Sequence, residues 1–273
     1  MKNRLAITLI VALLYALIGS AAAWAEEEST EELAKEAQNP VAKLISVPFQ
    51  NNINFNTGPE NRTQNILNIQ PVIPISLGED FNLITRTILP VVSQPGSNPL
   101  EDRINGIGPM QFTAFLSPNT KKGLIWGVGP IIQFPTITND RLGSKNWGFG
   151  PSAVALLIEG HWVVGALVNN VFSSGGAGPT YSNFLIQPFI NYNLPDGLYL
   201  TTAPIITANW KEQGRNVWTV PLGGGVGKLW RVGKVGLPVN TQIQAFGNVH
   251  TPQYGSDWSV RLQVQLMFPK SMF

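Results

Sequence analysis

The stretch WSVRLQVQLMF at 258–268 places Trp258, Val260, Leu262, Val264, Leu266 and Phe268 on one parity and Ser259, Arg261, Gln263 and Gln265 on the other. A helix would carry such residues around its axis every 3.6 positions, whereas a strand sends alternate side chains to opposite faces. The period of two therefore defines a strand with one apolar and one polar face. The stretch at 45–56 behaves alike: Ile45, Val47, Phe49, Ile53 and Phe55 alternate with Ser46, Gln50, Asn52, Asn54 and Asn56.

Between these two pieces, ten further strands are predicted near 65–77, 81–92, 106–116, 123–134, 147–158, 161–172, 181–194, 197–209, 216–229 and 235–247, for a total of twelve. The connections alternate in character. LGED, SPNTKK, EG, PDG and RVGK are short, while the others are mostly longer and richer in Gly, Pro, Asn and Ser. Regular strands joined by alternating short and long connections define an up-and-down antiparallel meander.

Period two alone does not say whether the apolar face meets a protein core or lipid, but three observations favour lipid. Nearly every charged residue after 44 falls in a connection or at a strand end, the clearest mid-strand exceptions being Arg86 and Arg261. A charge facing lipid at the midplane costs about 2–4 kcal/mol, and Arg261 has the polar-face parity of its strand. Trp147, Trp210, Trp218 and Trp258 border long connections and Trp126, Trp162 and Trp230 border short ones, matching the two interfacial girdles of a membrane barrel. An even strand number with short turns at one end and long loops at the other completes the pattern. The expected fold class is all-β: a closed transmembrane β-barrel in the bacterial outer membrane, preceded by a short helical extension.

The ends of the chain fit export. Lys2 and Arg4 precede an apolar run from Leu5 to Ile18 and the small-residue site Ala23-Trp24-Ala25, so residues 1–25 read as a secretory signal. Without Lys2 and Arg4 the 18 basic residues become 16, equal to the 16 acids, and no basic cluster remains to bind nucleic acid. The absence of cysteine excludes disulfides and a lipid-anchoring thiol. Residues 26–43 form an acidic extension in which Ser29 and Glu32 have capping-box spacing; a plug, a periplasmic docking element and a solvated tail all fit it. Residues 44–273 constitute the barrel.

Gly-x-Gly-Pro recurs in GIGP, GVGP and GFGP, ending at Pro109, Pro130 and Pro151. Midpoints between successive prolines fall in or near the proposed connections. They predict a belt at one height formed by Pro71, Pro90, Pro109, Pro130, Pro151, Pro188, Pro204, Pro221 and Pro238, with the glycines permitting bulges. Other motifs lead nowhere. GGGVGKL at 223–229 lacks the first glycine and the Ser or Thr of a phosphate loop. His161 and His250 sit in connections of opposite type, so no metal or cofactor site is expected. His250 with Ser256 and Asp257 is the one grouping that a lipid-hydrolysing barrel could use.

The lining expected for the lumen is polar and weakly cationic: Gln50, Asn52, Asn54, Asn68, Gln70, Asn82, Arg86, Arg261, Gln263 and Gln265. Amides hydrate a pore without strong ion selection, and the arginines give a mild anion preference.

The final strand VRLQVQLMF resembles the carboxy-terminal recognition strand of outer-membrane barrels, which implies the barrel-assembly machinery as a partner alongside outer-membrane lipid. PKSMF follows Phe268, leaving both Phe268 and Phe273 as candidates for the assembly signal. The run LAKEAQNPVAKLISVPFQNNINFNTGP at 33–59, with NIQPVIPI and GIGP, resembles the bacterial outer-membrane family called putative MetA-pathway of phenol degradation. That resemblance implies a transport-like barrel. The expected function is a channel for an unidentified small solute, hydrophobic or aromatic solutes among the candidates. With no catalytic constellation beyond His250, Ser256 and Asp257, no enzymatic activity is expected. An occluded structural or adhesive barrel is the alternative.

Overall fold

The alternation of 258–268 recurs around a closed wall. The computed structural model describes residues 29–120, 123–175, 178–233 and 236–268; the proposed signal at 1–25, and Phe273, lie outside these residues. The strand segments are β1 (Ile45–Thr57), β2 (Arg62–Ile69), β3 (Val72–Leu77), β4 (Phe81–Gln94), β5 (Ile104–Ile107), β6 (Met110–Pro118), β7 (Ile125–Phe134) and β8 (Gly148–Glu159). They continue as β9 (Trp162–Ser173), β10 (Ser182–Asn193), β11 (Leu198–Thr202), β12 (Ile206–Asn209), β13 (Trp218–Val232), β14 (Leu237–His250) and β15 (Trp258–Phe268).

β2 with β3, β5 with β6 and β11 with β12 each form one interrupted stave, so the segments make the expected twelve antiparallel staves. β15 closes the ring on β1, from Ile45 opposite Phe268 to Phe55 opposite Trp258. Closure leaves no unpaired sheet edge to face hydrocarbon.

Parity sorts the two faces as the sequence requires. On β15, Leu262 and Val264 are exposed on the outside while Arg261 and Gln265 are buried inside. Trp147, Trp210 and Trp258 lie exposed on the exterior near the long loops, and Trp126, Trp162 and Trp230 near the short turns. Trp218 packs edge-on against Trp210 with ring centroids 5.2 Å apart.

The short-turn end is filled from within. Helix α1 (Thr30–Ala37) is N-capped by Ser29, whose Oγ accepts from the Glu32 amide at 3.1 Å while Glu32 accepts from the Ser29 amide at 3.2 Å. This is the capping box read from the sequence. Leu33 and Ala34 pack on Leu229 of β13 and Met267 of β15, together with Ala42 and Leu44. A few residues further on, Val41 packs among Ile84, Phe115, Val154, Leu156, Val163, Leu167 and Phe189, which come from β4, β6, β8, β9 and β10. One short segment thus touches opposite walls, so 30–44 runs across the lumen. The apolar core is this interior packing, with the barrel wall around it.

The proline registers correct the single belt. Pro130 stands directly opposite Pro151, and the pairs Ile190–Thr202 and Ile186–Ile206 make Pro188 level with Pro204. Pro90 also stands beside Pro109, since the Gly108 amide donates to the Pro90 carbonyl at 2.9 Å and the register of Ile88 with Gln111 runs on to that pair. The hairpin partners expected for the other prolines are not opposite them. Pro71 is opposite Thr87, whose amide donates to its carbonyl at 3.0 Å, and Pro90 is opposite Asn68. Pro109 precedes Met110, which pairs with Phe134 and not with a residue near Pro130. Pro221 pairs with Asn248 and Pro238 with Arg231. The midpoint argument assumed that each turn is centred on its most turn-like residues, and the β6–β7 and β13–β14 hairpins turn further along the chain.

Gly-x-Gly-Pro has a local meaning. The missing donors of Pro130 and Pro151 are aimed away from each other, at β6 and β9, and both ladders skip two rows there. The glycine before each proline presses against the same neighbour. A Cβ on Gly129 would stand 1.8 Å from the Ala114 carbonyl oxygen, and one on Gly150 1.6 Å from that of Asn170.

Candidate functional site: a lumen chamber with two arginines

Above the segment that crosses the lumen lies a chamber of about 140 Å³. Its floor is Glu36–Pro40, and its walls are contributed by the inward parity of β1, β4, β10, β11, β14 and β15 and by the break between β2 and β3. Gln50, Gln70, Arg86, Arg261, Gln263 and Gln265 of the expected lining all meet here.

Both arginines are held beside interruptions of the wall. Between β11 and β12 the chain leaves the ladder at Ala203-Pro204, which frees the Ala203 amide and carbonyl. Arg261 Nη1 donates to that carbonyl at 2.8 Å, and the Ala203 amide donates to Gln244 Oε1 at 3.2 Å. Arg261 Nε also donates to Asn52 Oδ1 at 3.0 Å, and the guanidinium carbon lies 4.9 Å from the Phe246 ring centroid. At the other break, Gln70-Pro71, the Gln70 amide donates to the Pro48 carbonyl at 2.9 Å, and Gln70 Oε1 accepts from Arg86 Nη2 at 2.6 Å. Among the described residues neither guanidinium lies within salt-bridge distance of a carboxylate. Glu36, on α1, is the carboxylate among the chamber residues.

The remaining predicted lining residues fall outside the chamber. Asn52 supports Arg261. Asn54 Nδ2 donates to Gln64 Oε1 at 2.7 Å, and Gln64 donates on to Gln94; these amides girdle the lumen toward the long loops. Asn82 is buried near the short-turn end, bonded to Asn119. Asn68 pairs with Gln50 across β1–β2 and does not reach the chamber.

Sequence reasoning missed Gln187 and Asn191 on β10 and Gln242 and Gln244 on β14, all of which line the chamber. The signal was present. In VNTQIQAF at 239–246, Asn240, Gln242 and Gln244 alternate with Thr241, Ile243 and Ala245, the parity that identified Gln263 and Gln265. Gln38 was missed too: its Nε2 donates to Asn193 Oδ1 at 2.8 Å and its Oε1 accepts in return at 3.2 Å, which ties the crossing segment to β10. Nothing in the local sequence marks that pairing.

His161 and His250 lie at opposite ends, in the turn after β8 and at the end of β14. His250 Nε2 contacts the Arg215 carbonyl at 2.9 Å, Ser256 Oγ accepts from Asn248 at 3.0 Å and Asp257 accepts from Asn56 at 2.9 Å. Their hydrogen bonds lead away from one another, and no nucleophile–base pair forms.

No family model matches the chain, and no curated protein matches it. Among solved structures it is similar to an outer membrane channel from Pseudomonas putida F1, with a TM-score of 0.64, 17% identity and coverage of 84% of this chain and 97% of that one. More distant matches are the outer membrane phospholipase of Salmonella typhi (TM-score 0.41, 14% identity, 91% of this chain and 100% of that one) and CdiB from Acinetobacter baumannii (TM-score 0.41, 10% identity, 83% and 60%). The closed wall, its apolar exterior and the first of these matches define the class: a bacterial outer-membrane β-barrel of channel-like fold.

Proposed function

We propose that the protein is an outer-membrane channel for small polar solutes with a preference for anions, that residues 26–43 act as its plug, and that it is not an enzyme. The observation that carries this reading is the chamber: two guanidiniums, no carboxylate within salt-bridge reach of either, and walls rich in primary amides. Burying uncompensated positive charge costs several kcal/mol per ion. A chamber that keeps two such groups beside exchangeable water lowers the barrier for an anion and raises it for a cation. The same polarity disfavours the hydrophobic and aromatic solutes that a phenol-pathway relationship would suggest. Outer-membrane lipid and the barrel-assembly machinery, the latter reading the closing strand β15, complete the proposed partners.

The test is reversal potential in a KCl gradient across a planar bilayer, with the mature chain and with a version lacking residues 26–43. A potential on the chloride side supports the channel, and a larger conductance in the shortened chain supports the plug. A second reading, an occluded structural barrel, is favoured by the packing of Val41 among seven buried wall residues. Silence from both proteins, with heat-modifiable migration showing a folded barrel, would establish it instead.

A further inference from the structure

We infer that the chamber selects polyhydroxylated carboxylates of about six carbons, sugar acids, over aliphatic or aromatic carboxylates of the same charge. The inference rests on the channel reading above and adds a substrate class to it. The carboxylate end follows from Arg86. Its one side-chain hydrogen bond uses one of the two Nη2 hydrogens, to Gln70. Nη2 forms one bidentate edge with Nε and another with Nη1, and the edge not turned to Gln70 remains to grip two oxygens of a planar anion, as a guanidinium does best.

The hydroxylated end follows from the amides. Gln187, Asn191 and Gln263 line the chamber, yet none of their side chains makes a hydrogen bond among the described residues. They stand on different walls, β10 and β15. Each amide both donates and accepts. A hydroxyl does the same, whereas a carboxylate only accepts and a methylene or benzene ring does neither. A chamber of about 140 Å³ has room for several waters. A polyol can replace these waters hydroxyl for water, while an acyl chain or ring would strip the amides of their partners. Phe189 is the aromatic side chain in the lining, on the same strand as Gln187 and Asn191, which leaves no second ring to sandwich an aromatic solute.

The experiment compares gluconate, hexanoate and benzoate as blockers of chloride current through the full mature chain. Gluconate is expected to halve the current at a concentration about 10-fold or more below the other two, an advantage worth about two recovered hydrogen bonds. Gln263→Leu and Gln187→Leu should shrink that ratio, and Arg86→Gln should weaken all three anions together. Equal block by the three, or stronger block by benzoate, overturns the inference while leaving the channel standing. Absence of chloride current sinks the channel reading instead; equilibrium dialysis of the detergent-solubilised barrel against the same three acids then reads the preference directly, and equal retention overturns it.

Discussion

Arg261 and Arg86 occupy the same chamber, but their supports differ. Arg261 satisfies a carbonyl released by the Pro204 interruption, bonds Asn52 and lies against Phe246, whereas Arg86 has the single side-chain partner Gln70. Arg261→Gln should therefore lower anion selectivity and also destabilise the barrel by about 1–3 kcal/mol, the cost of a buried acceptor left unpaired. Arg86→Gln should lower selectivity with a smaller loss of stability. Reversal potentials paired with urea midpoints in detergent separate the two effects. Equal midpoints for the two variants would show that the Ala203 carbonyl does not depend on Arg261. At Gly150 the constraint is steric: Gly150→Val places Cβ against the Asn170 carbonyl, so this variant should refold in lower yield than Gly247→Val, where a Cβ meets nothing within 4 Å. Heat-modifiable migration reads both.

α1 and the segment that follows it cross the lumen because their few apolar residues find partners on opposite walls. Leu33 and Ala34 reach β13 and β15, and Val41 reaches the cluster around Phe115. Ala34→Glu puts a charge into a fully buried position, and the cost of leaving it unpaired there exceeds what a segment of this length gains from packing. The segment is expected to leave the lumen, raising single-channel conductance and exposing Lys35 to trypsin; unchanged conductance would mean that the segment does not limit the pore. The strand pattern around this segment was legible because lipid and lumen impose opposite polarity at every step, so parity carries information at each residue. The breaks at Gln70-Pro71 and Ala203-Pro204 were not placed, since a proline shows where a donor is missing and not which neighbour goes unpaired. Registers were misread for a related reason: hairpin centres depend on turn geometry, and shifting the centre by two or three residues moved Pro109 away from Pro130. The crossing segment was legible as a capped helix, but the plug was not separable from a docking element or a solvated tail, because its partners lie up to 234 positions away, at Met267.

For the molecule as a whole, the wall separates two solvents, and adjacent residues can have opposite tolerances. Leu262 and Gln263 are neighbours in mid-β15, one facing out and one lining the chamber. Leu262→Arg should cost about 2–4 kcal/mol and impair assembly, whereas Gln263→Arg should assemble and strengthen anion selectivity; the same gel and reversal-potential measurements decide. The two ends of the barrel should also respond differently to acid. At the long-loop end, Glu101 accepts from the Ser97 amide at 3.0 Å and pairs with Arg141 at 3.1 Å, while Arg141 also donates to the Pro95 carbonyl at 3.0 Å. The Ser97 amide is the main cause that holds the Glu101 carboxyl below its ordinary range, with Arg141 contributing. A carboxyl depressed in the folded loop stabilises it at every pH above the unfolded carboxyl's own range, and that stabilisation is lost as pH falls through the folded value. Protease nicking within 95–103 should stay constant from neutral pH down to the usual carboxylate range near 4.3 and rise below it. Glu101→Gln should show the higher nicking at neutral pH and lose the acid dependence. The short-turn end holds its crossing segment by the apolar packing of Leu33, Ala34 and Val41, and its capping-box carboxylate Glu32 acts on the first turn of α1 alone. With Glu32→Gln and Glu36→Gln in place this end should keep its protection across the same range, so acid that opened both ends of that variant together would refute this division.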